Sequence, residues 1–214
     1  MKIGIASALT KPFTNFLVSL ESLKTTLSSN HEVQIEHTID FCGVDRARNV
    51  LTRKLLDDGC DYILYVDDDM MFDSRSVELM LEANKALVCG LMFRKVFPFS
   101  PTIMKINDRV NVRDVGFYGD YPSYQLFEIG ACGFAFTLVD RIVLQDLEFE
   151  QDKWFKFDGF TSEDFDFCFR AREKGHRVWC DSRVKTRHIG GMGVGEENWL
   201  FWKDKGIGVE GLWC

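Results

Sequence analysis

The most informative segment of the chain is Tyr62-Ile63-Leu64-Tyr65-Val66-Asp67-Asp68-Asp69, an apolar strand that runs directly into three carboxylates. Open α/β sheets bind their ligands at the carboxyl ends of buried strands, which is where this acidic cluster would lie. Clustered carboxylate oxygens suit a hydrated Mg²⁺ or Mn²⁺. The segment therefore indicates a site for a divalent cation and a diphosphate at the end of a buried strand.

A structural origin for the acidic cluster stays open. Asp is common where strands end, and Asp73-Ser74 would cap a following helix that contains Val77 and Met80. An EF-hand calcium loop is excluded, because no Gly stands at the sixth position of a loop that starts at any of the three acids.

Composition limits the class of protein and of partner. With 214 residues and 46% hydrophobic content, the chain is long enough for a single well-buried domain over residues 1–214. A formal net charge of −7 argues against a nucleic-acid partner, because neutralising a phosphate backbone needs a basic surface. Nucleotides stay possible, since a bound cation can supply positive charge locally.

The cysteines and the hydropathy pattern favour a cytoplasmic location. The seven Cys are scattered and form no CxxC pair, which is typical of reduced core residues. We expect no transmembrane segment, because no stretch has the necessary length and apolarity, and the N-terminus lacks a signal-peptide pattern. Further domains of a longer chain stay open.

The spacing of apolar residues predicts alternating strands and helices in the first part of the chain. We expect strands at 2–7, 32–39, 61–66 and 86–93, with helices at 13–27, from Val44, and at 74–85. In the second helix Ala47 and Leu55 belong to an apolar stripe, and Arg46 and Asn49 lie on another face. Arg48 points elsewhere on an ideal helix. This alternation indicates a mainly parallel sheet with helices on both faces.

The second part of the chain has a different pattern. Short strands are predicted at 102–106, 125–129 and 134–139, separated by polar or Gly-containing turns, as in an added antiparallel portion. A helix is predicted to begin near Glu163 and stop at Gly175, before a last strand at 177–180. The fold class is therefore α/β, with a mainly parallel central sheet flanked by helices and a small antiparallel portion.

Four motifs in this order resemble the GT-A glycosyltransferases of the family-2-like type. They are the strand ending in Asp67-Asp68-Asp69, the segment 130–134 (Gly-Ala-Cys-Gly-Phe), the segment 162–168 (Ser-Glu-Asp-Phe-Asp-Phe-Cys), and His188. The resemblance covers nearly the whole chain. It implies a Rossmann-like GT-A fold with a nucleotide-sugar-binding half at about 1–93 and an acceptor and catalytic half at about 94–214.

The compact size and aromatic richness are also similar to the N-terminal domain of a multidomain glycosyltransferase type found in chloroviruses, the large DNA viruses of algae. For such a viral protein, the host cytoplasm would be the expected location.

The resemblance implies a metal site. Asp69 would bind the Mn²⁺ or Mg²⁺, Asp67 would lie nearer the ribose or the waters of the metal, and the role of Asp68 stays open. His188 would be a further ligand on a loop that its neighbouring glycines let fold back over the phosphates. The alternative for His188 is a partly exposed loop residue without a partner.

Donor and catalytic residues follow from the same resemblance and from their positions after strands or on helices. The predicted contacts with the nucleotide-sugar, a UDP-sugar, are Ala6, Ser7, Asp40, Arg46, Asn49, Asp67, Asp68 and Arg94. Asp164 would be the catalytic base at the start of a helix, with Glu163 binding an acceptor hydroxyl. Glu163 and Asp166 are rivals for the base. The alternatives are a solvated helix face for Arg46 and Asn49, and a helix-capping pair for Glu163 and Asp164.

The implied activity is an inverting, metal-dependent transfer of a hexose or deoxyhexose to a saccharide or glycoprotein glycan. Aromatic side chains of Phe155, Phe157, Trp199 and Trp202 are predicted to stack on the acceptor. Two other functions stay open: a sugar nucleotidyltransferase and a non-catalytic module that binds sugar nucleotides or glycans.

Overall fold

The computed structural model of the chain describes residues 1–39, 43–147, 153–157, 159–190 and 193–205. The helices within these residues are α1 (Thr14–Leu27), α2 (Val44–Asp57), α3 (Ser76–Glu82), α4 (Arg141–Asp146), α5 (Glu163–Glu173) and α6 (Glu196–Lys203). The strands are β1 (Lys2–Leu9), β2 (Glu32–Ile39), β3 (Tyr62–Val66), β4 (Met70–Phe72), β5 (Leu87–Leu91), β6 (Ile103–Ile106), β7 (Val115–Phe117), β8 (Leu126–Ile129), β9 (Ala131–Cys132), β10 (Phe136–Asp140), β11 (Val178–Ile189) and β12 (Gly193–Val194).

The central sheet has the strand order β12-β11-β5-β10-β3-β1-β2. Strands β2, β1 and β3 are parallel, and β5 is parallel to β11. A separate small antiparallel sheet contains β7, β6 and β9. The predicted α/β class, with a mainly parallel central sheet and a small antiparallel portion, is confirmed. Two placements are wrong, because β10 lies in the middle of the central sheet, antiparallel to both neighbours, and β8 pairs antiparallel with β11 of the same sheet.

Strand β3 is covered on both faces, as its continuous apolar run predicts. The side chains of residues 63–66 are all buried, and β3 pairs with β1 and β10 on its two edges. Because β1 and β3 run in the same direction, their carboxyl ends meet at one edge of the sheet. The acidic cluster after β3 therefore lies beside the loop after β1.

Strand β11 is much longer than the predicted strand at 177–180. Its second half pairs antiparallel with β4, which follows the acidic cluster, and His188 lies opposite Met70. Side chains in this half alternate between buried and less buried, with Val184, Thr186 and His188 inward. Several of these residues are polar, so the alternation of the strand is not visible as an alternation of hydrophobicity.

The four predicted helices are confirmed, whereas α4 and α6 were not predicted from the sequence. Helix α2 begins at Val44 and α5 begins at Glu163, as predicted, whereas α3 is shorter than the expected 74–85. Gly175 follows α5 with a φ of +89°, a left-handed conformation that suits glycine and ends the helix. Over the described residues, none of the helices is both long and apolar enough to span a membrane.

Candidate active site

Three side chains that can bind a metal converge at the carboxyl end of β3. One ligand atom from each of Asp67, Asp69 and His188 lies within 4.8 Å of the others. The pairing of β4 with β11 creates this arrangement, because the Ile189 N–H donates to the Asp69 carbonyl at 2.7 Å and so fixes the end of β11 beside the acidic cluster. Residues separated by more than a hundred positions in sequence thus form one site.

His188 is buried and its ring is oriented by a hydrogen bond. Its Nδ1 bonds to the Phe93 carbonyl, and because a carbonyl only accepts, Nδ1 carries the proton. The other nitrogen, Nε2, lies 3.9 Å from Asp69 Oδ1. Because Nδ1 is used by the Phe93 carbonyl, Nε2 is the ring nitrogen left to bind a metal. The prediction that His188 lies on a flexible loop is wrong, since the residue belongs to β11; Gly191 lies outside the described residues.

Lys95, which sequence reasoning missed, pairs with the Asp69 carboxylate. Lys95 also lines a cleft of about 250 Å³ together with the acidic cluster, the loop after β1 and the start of α2. Arg94, the predicted donor contact, is not among the described residues that line this cleft. Arg94 and Lys95 are adjacent on the loop after β5, so the path of that loop determines which of the two side chains faces the cleft.

Asp68 supports the loop after β1. Its Oδ2 accepts hydrogen bonds from the Thr10 and Lys11 amides at 2.7 and 2.9 Å, and from the Thr10 hydroxyl at 3.2 Å. Asp68 also lines the cleft. The middle acid of the cluster thus shapes the wall of the cleft.

The cleft begins slightly later along β1 than predicted. Ala6 and Ser7 are buried inside the strand, and the wall is formed by Ala8, Leu9 and Thr10. Ala6 and Ser7 are not among the described residues that line the cleft, and their contacts with the donor stay a prediction. Asp40, another predicted donor contact, lies outside the described residues.

Arg48 connects the two acidic parts of the site. It is 5% exposed, and its guanidinium lies 3.0 Å from Asp67 Oδ1 and 2.7 Å from Glu163 Oε1. The rings of Phe134 and Phe155 enclose it, with centroids 5.9 and 5.6 Å away. The prediction that Arg48 points away from the site is wrong.

The buried face of α2 explains this position. It is wider than the predicted apolar stripe and includes the polar pair Arg48 and Thr52, four residues apart. The Thr52 hydroxyl lies 2.6 Å from the Tyr65 hydroxyl of β3. In the sequence, the spacing of Arg48 and Thr52 at i and i+4, next to the apolar stripe, is the feature that indicates a buried polar contact on this face of α2.

Asn49 and Arg46 are not among the described residues that line the cleft. The Asn49 amide donates to the Phe155 carbonyl at 2.8 Å, and its oxygen accepts from the Phe155 amide at 2.9 Å. Both ends of the Asn49 side chain thus hold residues 153–157, and its contact with the donor stays a prediction. Arg46 is exposed and lines a separate, larger cavity.

Glu163 and Asp164 lie at the start of α5, as predicted. Asp164 Oδ1 accepts from the Ser162 hydroxyl and from the Phe165 amide at 2.8 Å. Among the described residues nothing donates to Oδ2, which lies toward Gly133. The rival base, Asp166, is buried and paired with Arg170 at 2.7 Å, so it faces away from the site.

Burial and charge shift the ionisation of this cluster. Burial, followed by the negative charge of Asp164, raises the pKa of Glu163, although Arg48 opposes the shift. Burial alone would lower the pKa of Arg48, but the carboxylates of Asp67, Asp164 and Glu163 together raise it. Arg48 therefore stays charged and holds the acids in place.

The aromatic residues predicted to stack on an acceptor divide into two groups. Phe155 and Trp199 are each 1% exposed and belong to the hydrophobic core, so their predicted role is wrong. Phe157 is 64% exposed, and Trp202 packs edge-on against Phe97 at 5.4 Å. Phe157 lies near Glu163 in the wall of a shared cavity.

Neither a protein-family model nor a curated protein matches the sequence. Solved structures do match in fold. The structure of GalNAc-T7 with UDP, GalNAc and Mn²⁺ is 9% identical, with a TM-score of 0.57 over 93% of this chain and 47% of that one. S. aureus TarS 1–349 in complex with UDP is 14% identical, with a TM-score of 0.51 over 84% of this chain and 57% of that one.

A third match is a putative glucose-1-phosphate thymidylyltransferase from Bacillus anthracis in complex with a sucrose. It is 9% identical, with a TM-score of 0.53 over 95% of this chain and 96% of that one. The chain thus spans about half the length of the first two proteins, at 47% and 57%. At such low identity the likeness concerns the fold alone, and it establishes that this chain has the GT-A fold.

Proposed function

We propose that the chain is a metal-dependent glycosyltransferase that moves a sugar from a nucleoside-diphosphate sugar, a UDP-sugar, to a saccharide acceptor with inversion. The observation that carries the proposal is the convergence of Asp67, Asp69 and His188 at the edge of the sheet, linked through Arg48 to Glu163. Asp164 lies beside Glu163, and among the described residues only its Oδ1 accepts hydrogen bonds.

The residues present fit a divalent cation. Two carboxylates and an imidazole whose Nε2 lies beside them form a donor set that suits Mn²⁺ or Mg²⁺. Asp67, Asp69 and His188 would hold the cation, which would supply positive charge against the diphosphate of the donor. The Lys95 ammonium already pairs with Asp69, so it can move to a donor phosphate when Asp69 binds the metal.

Asp164 is the proposed base. In an inverting transfer the acceptor oxygen forms a bond to the anomeric carbon while the bond from that carbon to the diphosphate oxygen breaks. The acceptor hydroxyl proton goes to Asp164 Oδ2, whose partner oxygen is held by Ser162 and Phe165. Glu163, oriented by Arg48, is placed to accept a hydrogen bond from the acceptor.

The comparisons support this proposal at the level of fold. GalNAc-T7 was solved with UDP, GalNAc and Mn²⁺, and TarS with UDP, which are the ligand types that the acidic cluster suits. Donor sugar class (hexose or deoxyhexose), a glycoprotein glycan as acceptor, a division of roles at about residue 93, a viral origin and a cytoplasmic location stay predictions.

The test is UDP release from a panel of UDP-sugars with Mn²⁺, with and without saccharide acceptors. Asp164→Asn should bind UDP as the wild type does, and it should release UDP from the active donor at least about 100-fold more slowly. Asp57→Asn, a change to an exposed acid at the end of α2, should behave as wild type. Normal turnover by Asp164→Asn would refute its role as base.

A sugar nucleotidyltransferase is the second candidate, because the thymidylyltransferase has a similar fold. Against it, residues 7–13 after β1 (Ser-Ala-Leu-Thr-Lys-Pro-Phe) include no Gly, whereas loops that cradle a triphosphate are Gly-rich. Release of pyrophosphate from a nucleoside triphosphate and a sugar phosphate would favour this alternative. Binding of UDP-sugars without any turnover would favour a non-catalytic module.

A further inference from the structure

We propose that a basic groove beside the start of α2 binds an anionic acceptor, a saccharide that carries phosphate or carboxylate groups. The inference rests on the proposed function, because it names the acceptor class of the same transferase site. It concerns a part of the molecule that the metal site and the base do not use.

The groove is formed by two adjoining cavities of about 660 and 550 Å³. Both are lined by Asp45, Arg46 and Phe157, and the smaller one reaches Glu163. The smaller cavity also shares Gly43 and Val44 with the 250 Å³ cleft that is lined by the acidic cluster and Lys95. A ligand in the groove would therefore extend from the catalytic carboxylates to the surface, and each cavity is within the size range of small-ligand sites.

The outer part of the groove is positively charged on a chain whose formal net charge is −7. Arg46, Lys153 and Lys156 line the larger cavity, and none of them has an ion-pair partner in the portion of the chain that the structure describes. Asp45 is the one acid among the described residues that line the larger cavity. Three cations against one carboxylate leave a local positive charge that an anionic ligand would neutralise.

Arg53 lies on the same wall, but its guanidinium already has partners within the protein. Its guanidinium packs over the Trp154 ring at 4.9 Å and lies 3.8 Å from Asp57. Arg53 is thus part of the packing of the wall. The other three cations are the ones left to bind a ligand.

The segment that carries Lys153 and Lys156 is held in place by hydrogen bonds to α2. Asn49 holds Phe155 through both of its backbone groups, at 2.8 and 2.9 Å, between Lys153 and Phe157. Phe157 is 64% exposed next to Glu163, so a sugar ring can stack on it while its anionic substituents reach the cations. This combination of aromatic and basic groups favours a charged saccharide over a neutral one.

The first experiment measures binding by calorimetry to the protein saturated with UDP and Mn²⁺. The probes are tetragalacturonate (carboxylates), a phosphorylated mannopentaose (phosphate) and neutral maltotetraose. At least one acidic probe should bind about tenfold more tightly than maltotetraose at low salt, and the difference should shrink as salt screens the charges. The acidic probe that binds more tightly identifies the recognised group.

The second experiment repeats the titration on Lys153→Ala/Lys156→Ala and on Arg46→Ala. Each variant should lose about tenfold or more in affinity for the acidic probe, and Lys153→Ala/Lys156→Ala should retain the wild-type affinity for UDP with Mn²⁺. Lys24→Ala, which removes an exposed lysine at the end of α1, is the matched control and should change neither. Lys153→Arg/Lys156→Arg should keep the affinity for the acidic probe.

Several results would overturn the inference. One is equal affinity for the acidic and the neutral probes. Another is a loss of affinity for the acidic probe in Lys24→Ala as large as that in the groove variants. A third is binding of a single-stranded DNA of matched charge as tight as that of the acidic saccharide. Failure of the transferase assignment is distinguishable, because UDP would then not bind in a Mn²⁺-dependent manner at all. Intact UDP binding without any preference for acidic probes would refute only the anionic acceptor.

Discussion

At the scale of single residues, Arg48 determines how the site is held together. It is a buried cation with a carboxylate on each side, and removing it would leave the charges of Asp67 and Glu163 without their partner. We expect Arg48→Ala to lower the free energy of unfolding by about 3 kcal/mol. Urea denaturation measures this change.

Arg109→Ala is the matched control, because Arg109 also pairs with a carboxylate, that of Glu128, but its side chain is 69% exposed. An exposed pair of this kind contributes less than about 1 kcal/mol. Equal losses in the two variants would contradict the stabilising role assigned to Arg48.

The raised pKa of Glu163 predicts that the stability of the protein depends on pH. Its pKa is raised in the folded protein, first by burial and then by Asp164, so its ionisation costs stability. The stability it contributes is present below its unfolded pKa and is lost as the pH rises through its folded pKa. The unfolding temperature of Glu163→Gln, relative to that of the wild type, should therefore be higher at pH 7.5 than at about pH 4, below the ordinary Glu pKa, with the loss of the Arg48 ion pair added at both pH values. A difference between variant and wild type that is the same at both pH values would contradict this assignment.

The residues of the site divide into those that sequence reasoning can find and those that it cannot. Asp67, Asp69 and Asp164 follow strands or open helices, so a local pattern marks them. Arg48 and Lys95 do not, because their direction depends on which face of α2 meets the sheet and on the path of the loop after β5.

At the scale of elements, the pairing of β4 with β11 brings His188 to the acidic cluster. Strands with a continuous apolar run or a clear boundary, such as β2 and β3, are predictable from the sequence. Strand β4 has three residues, and the second half of β11 is largely polar, so neither produces a local hydrophobic signal. The contact between them depends on the whole sheet.

Asn49 tests the link between α2 and residues 153–157. Loss of its two hydrogen bonds to the backbone of Phe155 should lower the free energy of unfolding by about 2 kcal/mol in Asn49→Ala. Asn49→Asp can still accept from the Phe155 amide and should lose less. Denaturation and UDP titration of both variants check this. A large loss of UDP affinity at unchanged stability would instead support the predicted contact between Asn49 and the nucleotide-sugar.

At the scale of the whole molecule, the site joins the two parts of the chain. Asp67 and Asp69 come from the alternating first part, and His188, Glu163 and Asp164 come from the second. The fold class and the order of the main elements follow from hydrophobic periodicity. The antiparallel insertion of β10 into the centre of the sheet does not, because strand order is set by long-range pairing that no local pattern encodes.

The central claim is that this edge of the sheet binds a nucleoside diphosphate together with a divalent cation. The most direct measurement is a calorimetric titration of UDP with Mn²⁺ and with a chelator, on the wild type and on Asp69→Asn. We predict binding by the wild type that requires Mn²⁺ and that falls by at least about 100-fold in Asp69→Asn, while Asp57→Asn binds normally. Absence of UDP binding to the wild type, or binding that is equal with chelator and in Asp69→Asn, would contradict the claim.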